Sequence, residues 1–325
     1  MQATSLPVTL RDIYLARQAI APFVRRTPLV YSAALSAHTG ANVYLKLENQ
    51  QETGAFKLRG AANRLTALST AEQQRGVVTV STGNHGRAVA YVAQRLGIRA
   101  VICVPELVLP HKVAAMRSLG AEVVVHGQTQ DDAERHALHL QTEQGLTLVS
   151  AFDEPVIIAG QGTIGLEILE DLPQVDTVLV PLSGGGLMAG IAVAMKSAAT
   201  AIHMVGVSQE RGPAMYLSLQ AGAPVPVVEE PSLADSLLGG IGLENRYTFP
   251  LIRDLVDEVV LLSEAEIAAA MVYALRQEKQ IVEGGGSVGI GALLANKVGH
   301  LGEHVVVIVS GSNVDLTKLF ALLND

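Results

Sequence analysis

Gly76-Val77-Val78-Thr79-Val80-Ser81-Thr82-Gly83-Asn84-His85-Gly86-Arg87-Ala88-Val89-Ala90, followed by Tyr91-Val92-Ala93-Gln94-Arg95-Leu96-Gly97-Ile98-Arg99-Ala100-Val101-Ile102-Cys103-Val104, changes its period twice. The β-branched run Val77 to Val80 reads as a strand, Asn84 to Leu96 has helical period, and Ala100 to Val104 is a second apolar run. The unit is strand, helix, strand, and it repeats. Ala121 to Val125 and Thr147 to Val149 read as further strands, with helices at Pro110 to Leu119 and Thr129 to Gln144 between them. Near-continuous apolar strands separated by helices belong to a mostly parallel sheet covered on both faces, with right-handed crossovers.

A second series follows. Strands are expected at Thr177 to Val180, Met204 to Val207, Val259 to Leu262 and Val305 to Val309. Helices fall near Ile158 to Asp171, Leu187 to Ala199, Glu264 to Lys279 and Ser287 to Val298. The first 75 residues supply one amphipathic helix (Arg11 to Phe23), a strand (Val43 to Leu47) and a helix opening at Lys57, too little for a lobe of their own. They are expected to pack with the C-terminal part. The reading is therefore an α/β fold with two open, mostly parallel sheets and helices on both faces. Residues 1–75 and 151–325 form the larger domain, and 76–150 a smaller inserted one. A ligand belongs in the cleft between them, outside the carboxyl ends of the strands. The irregular segment Ala221 to Ile241, broken by prolines and glycines, is placed to line that cleft.

Composition narrows the function classes. With 23 Lys+Arg against 31 Asp+Glu the formal charge is 23 − 31 = −8, which argues against a nucleic-acid or anionic-membrane surface. At 49% hydrophobic and 17% charged the chain has ample core, so disorder and fibrous architectures are excluded. Cys103 is the only cysteine, which rules out an intrachain disulfide and a cysteine metal cluster and suits a reducing, cytoplasmic setting. Met1 to Arg11 lacks the pattern of a signal peptide, and no apolar run is long enough to span a membrane.

Four loops carry candidate chemistry. In Gly54-Ala55-Phe56-Lys57-Leu58-Arg59-Gly60 the lysine falls in the first turn of a helix, where the macrodipole disfavours a cation by about 0.3 to 1 kcal/mol. That field helps keep the amine neutral, the form that condenses with a carbonyl; the plain alternative is a solvated surface lysine. Ser81-Thr82-Gly83-Asn84-His85-Gly86 joins a strand to a helix N-terminus, which suits a carboxylate or phosphate, or else an ordinary N-cap. In Ser183-Gly184-Gly185-Gly186-Leu187 the glycines let the backbone wrap an anion at the next helix start. Gly184, Gly186 and Ala189 also satisfy a loose dinucleotide fingerprint, with Glu210 about where a ribose-binding acid would fall. Ser310-Gly311-Ser312-Asn313 ends the last core strand, where a hydroxyl can hold a ring nitrogen, and Glu283 ahead of three glycines is a weaker signal.

In this order the loops resemble pyridoxal-phosphate enzymes of the tryptophan-synthase-β type (fold type II), within it the serine/threonine dehydratase and serine racemase family. The resemblance runs from Arg26-Thr27-Pro28-Leu29 and Val43 to Asn49 through to Ser310 to Asp315. The segment Ala234 to Phe249 is most similar to the hydroxyectoine-utilisation dehydratases. The resemblance implies that Lys57 bonds the cofactor aldehyde, Phe56 flanks its ring, and Asn84 bonds its phenolic oxygen. Ser183, Gly184, Gly185, Gly186 and Leu187 would hold the phosphate and Ser310 the pyridine nitrogen, while Ser81, Thr82, Gly83 and His85 bind the substrate carboxylate. The implied reaction removes water from a β-hydroxy α-amino acid, Lys57 acting as general base, to give an enamine and then a 2-oxo acid and ammonia.

Departures from the family pattern qualify this. Ala55 stands where relatives usually have serine, and Ser236 where they have glycine. Thr82 occupies the position of the racemases' opposite-face acid, which keeps racemisation as an alternative. Tyr216 falls where metal-activated relatives place an aspartate, so no metal is expected, although Glu210 matches their preceding carboxylate. A nicotinamide-dependent oxidoreductase is the rival from another class, and a non-catalytic amino-acid-binding protein the third. The expected partner is a small amino acid, with no nucleic acid or membrane, and the expected assembly a homodimer. Only about 15 residues follow Ser310, so no regulatory domain is expected after it.

Overall fold

The computed structural model describes residues 6–323; Met1 to Ser5, part of the stretch read for a leader, and Asn324 and Asp325 lie outside the described residues. In chain order the elements are α1 (Leu10–Ile20), β1 (Leu29–Tyr31), α2 (Ala33–Thr39), β2 (Asn42–Leu47), α3 (Lys57–Thr66), α4 (Thr70–Arg75), β3 (Val77–Val80), α5 (Asn84–Leu96), β4 (Ala100–Val104), α6 (Pro110–Ser118), β5 (Glu122–Val125), α7 (Gln130–Gln144) and β6 (Thr147–Leu148). They continue as α8 (Pro155–Asp171), β7 (Thr177–Pro181), α9 (Gly186–Ala198), β8 (His203–Gln209), α10 (Ala214–Ala221), α11 (Thr248–Leu255), β9 (Glu258–Leu262), α12 (Glu264–Arg276), α13 (Gly284–Leu294), β10 (His304–Val309) and α14 (Leu316–Ala321). Local chemistry sets many of these starts. Thr9 with Asp12, Ser69 with Glu72, Thr129 with Asp132 and Ser263 with Glu266 are capping boxes, each N-cap worth about 1 kcal/mol. Pro110 and Pro155 open α6 and α8, where a missing N–H costs nothing.

Two sheets form. The larger has strand order β1-β2-β10-β7-β8-β9 and is parallel except for the β1–β2 pair; the smaller, β5-β4-β3-β6, is wholly parallel. Val307 pairs with Leu45 on one side and Leu179 on the other, which aligns β2, β10 and β7 end to end. Both sheets bury both faces, as their apolar strands require. In the smaller one, Val77, Ile102 and Val104 meet Val89 and Val92 of α5, whereas Val78, Val101 and Cys103 meet Ala133 and Ala137 of α7. The larger sheet lies between α8 with α9 on one side and α12 with α13 on the other. Where α8 and α9 cross, a Cβ on Gly190 would come within 2.3 Å of the Ile158 carbonyl, so only glycine permits this approach.

The N-terminal region divides in a way its sequence does not announce. β1 and β2 join the larger sheet, but α3 packs against α5 and α8, with Leu58, Ala61, Ala62 and Leu65 in one cluster with Val89, Val92 and Ile157. The alanines of α3 give it a flat face that fits between helices from both parts of the chain.

Strand order fixes where ligands can enter. In the larger sheet the crossovers run outward in opposite directions from between β7 and β10; in the smaller sheet they do so from between β3 and β6. Each reversal opens a crevice at the carboxyl ends of the strands. The loops that leave those ends are residues 182–185, 310–315, 81–83 and 149–154. Among the described residues no helix is long and apolar enough to cross a membrane.

Candidate active site

Lys57 is the first residue of α3, and backbone pairing pins it in place. The Phe56 amide donates to the Ser310 carbonyl (3.0 Å), and Ala55 forms an antiparallel bridge with Gly311. The loop after β10 therefore lies directly beside the lysine. Across the cleft, Lys57 Nζ donates to the Ala151 carbonyl at 2.7 Å and stands 5.3 Å from the centre of the Phe56 ring. Burial lowers its pKa to about 8, so about a tenth of the amine is neutral at pH 7, far more than for an ordinary lysine. Sequence reasoning attributed a neutral lysine to the helix dipole; in the structure the cause is desolvation.

Two sets of unpaired backbone amides flank it. At the start of α9 the buried amides of Gly184, Gly185, Gly186 and Leu187 find no acceptor among the described residues, and Gly185 adopts φ +91°, which turns the chain into the helix. The loop is tight from below as well, because a Cβ on Gly184 would lie 2.4 Å from the Phe152 ring. At the start of α5 the amides of Thr82, Asn84, His85 and Gly86 are likewise without acceptors among the described residues, and no side chain caps the helix. The ordinary N-cap reading of Ser81 and Thr82 therefore fails. Ser81 Oγ instead accepts from the Gly83 amide (3.2 Å) and rigidifies the loop.

His85 takes a different place from its neighbours. Its ring is buried, with Nε2 3.4 Å from the Val149 carbonyl, and burial followed by the nearby Lys57 charge pushes its pKa down to about 3. A neutral ring facing a carbonyl must carry its proton on Nε2. The side chain props the loop from behind, leaving the backbone amide free for a ligand.

Asn84 faces the loop after β10. Its Nδ2 donates to Glu283 Oε1 and its Oδ1 accepts from Asn313 Nδ2, both at 2.7 Å. Glu283 is buried, and its pKa is raised to about 7, chiefly by desolvation and then by Asp235. Ser310 is buried beside Phe56, and its hydroxyl has no partner among the described residues. Glu210 lies 3.5 Å from Lys297, which also binds Glu266 at 2.7 Å, so an ammonium already serves that carboxylate.

The structure thus gathers Lys57, Phe56, Ser81 to His85, Ser183 to Leu187 and Ser310 around the two crevices. It adds residues that no motif had marked. The loop after β6 contributes the Ala151 carbonyl, the Phe152 ring and Asp153, whose carboxylate accepts from the amides of Arg246, Tyr247 and Thr248 at 2.8 to 2.9 Å. Arg87 is the other addition, joined at 2.8 Å to Asn313, the last residue of the loop already marked at Ser310. The available sequence signal was position alone, since each follows a strand or helix start at a crevice.

These features test well against a phosphorylated aldehyde. The unpaired amides of the glycine loop match a phosphate at a helix N-terminus, the desolvated Lys57 matches a carbonyl, and the free Ser310 hydroxyl matches a neutral ring nitrogen. Comparison with known proteins agrees. Residues 20–311 match the family described as "Pyridoxal-phosphate dependent enzyme". The chain is 50% identical over 309 residues to a Sinorhizobium fredii protein provisionally named a threonine dehydratase, covering 95% of this chain and 93% of that one. It is 43% identical over 317 residues to the L-threonine ammonia-lyase of Thermotoga maritima, covering 98% and 78% respectively. Among solved structures it resembles maize serine racemase, with TM-score 0.90 and 34% identity over 98% of this chain and 97% of the other. Threonine deaminase isoform 2 from Solanum lycopersicum is similar too, with TM-score 0.88 and 34% identity over 98% and 95%.

Proposed function

The chain belongs to the pyridoxal-phosphate-dependent enzyme family, as an ammonia-lyase of the dehydratase kind, and from that premise we propose that it acts on a β-hydroxy α-amino acid of the threonine and serine class. The products are a 2-oxo acid and ammonia. One observation carries the reading: a desolvated lysine stands between two sets of unpaired amides, one fit for the cofactor phosphate and the other for a substrate carboxylate.

On this reading Ser183 to Leu187 hold the phosphate, Lys57 the aldehyde, Asn84 the phenolic oxygen and Ser310 the ring nitrogen, with Phe56 beside the ring. Pyridoxal phosphate, when bound, supplies the carbonyl that captures the substrate amine and withdraws electrons from the α-carbon. The amides of Thr82 to Gly86 orient the substrate by its carboxylate. Lys57 Nζ removes the α-proton, and its contact with the Ala151 carbonyl gives the resulting ammonium a fixed acceptor. Ser310 donates a neutral hydroxyl, which leaves the ring nitrogen unprotonated and favours prompt loss of the β-hydroxyl. The nicotinamide reading loses its support, because Glu210 is engaged by Lys297 and Lys57 would stay without a task.

The smaller unit, 76–150, is taken as inserted between 1–75 and 151–325 and brings the carboxylate loop to the larger unit. A homodimer is proposed, supported by exposed Val30 and Tyr31 on the edge strand β1. The buried thiol of Cys103, pushed up to about 11 by desolvation, suits a reducing cytoplasm.

A narrower reading, a hydroxyectoine-derived substrate, is favoured by Ser236, which bonds Glu283 at the cleft where a glycine would leave space. The racemase alternative rests on Thr82 in the carboxylate loop. The deciding assay offers serine, threonine, 3-hydroxyaspartate and hydroxylated diaminobutyrates to protein supplied with pyridoxal phosphate. Release of ammonia and 2-oxo acid from serine or threonine, abolished by Lys57→Ala, is expected. Turnover of the diamino acids alone would select the narrower reading; interconversion of enantiomers without ammonia would select racemisation.

A further inference from the structure

Two asparagine side chains lie end to end between a guanidinium and a carboxylate. Arg87 Nη1 donates to Asn313 Oδ1 (2.8 Å), and Asn313 Nδ2 donates both to the Thr53 carbonyl (2.8 Å) and to Asn84 Oδ1 (2.7 Å). Asn84 Nδ2 in turn donates to Glu283 Oε1 (2.7 Å), whose other oxygen accepts from the Asn313 amide (3.1 Å). The chain joins residues up to 260 positions apart.

A carboxamide can turn over, exchanging oxygen for nitrogen with almost no change of shape. The same asparagine then offers a ligand a donor in one orientation and an acceptor in the other. Here the guanidinium end leaves no choice. A guanidinium only donates, so Asn313 must show it oxygen, and both Asn313 N–H bonds are then committed to Thr53 and Asn84. Asn84 must receive the second with its oxygen, which turns its nitrogen toward Glu283. Glu283, whose pKa is raised to about 7, only accepts when ionised and then favours the same orientation from the opposite end; the Arg87 end fixes it in either state. One N–H of Asn84 remains uncommitted.

We propose that Arg87 and Glu283 are positioning residues that lock the Asn84 carboxamide with its free N–H, not its oxygen, toward the phenolic oxygen of the bound cofactor ring. The inference rests on the contact between Asn84 and the cofactor put forward above. A donor there stabilises the oxygen as phenolate; the reversed amide would set oxygen against oxygen. Arg87 also lines a cavity of about 450 Å³, so a shorter side chain there is replaced by water and not by a sealed void.

The test compares native holoenzyme with Arg87→Met, Arg87→Lys, Glu283→Gln and Asn84→Ala, reading the visible cofactor band and its pH titration, cofactor affinity, kcat, KM and melting temperature. Arg87→Met is expected to move the titration of the band by roughly half a pH unit or more and to weaken cofactor retention about fivefold, as loss of one hydrogen bond does. Glu283→Gln shifts the same readings, while Arg87→Lys, also donor-only, keeps the native band. A merely structural role would lower the melting temperature and leave the band in place. Unchanged bands in Arg87→Met and Glu283→Gln, with an altered band in Asn84→Ala, overturn the inference and leave the cofactor contact standing. An unchanged band in Asn84→Ala overturns both. Absence of any band from the native chain refutes the proposed function itself. Should Glu283→Gln fail to fold, the Arg87 pair decides alone.

Discussion

Lys57 begins as a residue with an ordinary pKa near 10.5 and ends, through burial, near 8. The folded value lies below the unfolded one, so the folded chain resists holding the proton. The resulting penalty is fully present below pH 8 and disappears as pH rises from about 8 toward 10.5. Cofactor-free Lys57→Met should therefore be more stable than the native chain at pH 7, by about 2 kcal/mol after allowance for partial exposure, and about three quarters of the gap should be gone by pH 10. Urea titrations of the two proteins across that range check it; a gap independent of pH would show that the amine is not desolvated. Lys57 was legible from its place at a helix start. The Ala151 carbonyl that receives it was not, because a backbone oxygen leaves no mark in residue type, and Arg87 and Asn313 meet only after folding brings distant loops together.

Helix α3 must hold its first residue steady, and a buried ionic cluster does so. Arg59 bonds Glu48 (2.8 Å) at the end of β2 and Glu167 (2.7 Å) on α8, while Lys46 bonds Glu167 (2.6 Å) and the Thr27 carbonyl (2.7 Å). Two cations balance two carboxylates with almost no exposure. Arg59→Leu would strand a net negative charge in the interior, and chemical denaturation should show a loss of about 3 to 5 kcal/mol. A loss below about 1 kcal/mol would mean the cluster is wet. None of this was read from the sequence, where Lys46, Glu48, Arg59 and Glu167 are scattered charges. The long elements were legible because their periods are sustained: Asn84–Leu96, Val77–Val80 and Ala100–Val104 match the sequence reading end for end. Short ones such as β1, α2, α10 and α14 went unread, since three to eight residues carry too little pattern and tertiary contacts decide them. Helix α13 starts three residues before the expected Ser287, because Gly284 and Gly285 are helical where they press against Leu233 and Ser236, and Gly286 where it meets Gly311.

At the scale of the molecule, Lys112 on α6 reaches Asp235 at 3.0 Å, linking the layer around the smaller sheet to the irregular segment expected to line the cleft. Both groups are accessible, so the link is worth less than about 1 kcal/mol and salt should weaken it. Asp235→Asn is expected to raise KM for substrate about twofold at low ionic strength, with the difference vanishing at high salt. Equal effects at both salt levels would point to a steric cause. The alternation of strands and helices predicted two parallel sheets, and both are present; the strand orders, which put the crevices where they are, depend on crossovers that residue patterns do not encode. The amides of 184–187 and Ser310 hang from one sheet, and the loop 81–86 hangs from the other. On the roles proposed, and with Asn84 as the one residue of 81–86 that also serves the cofactor, inherited change in what is recognised need not disturb what is retained. A lineage built on this scaffold can drift toward new nutrients through one half while selection keeps the other constant.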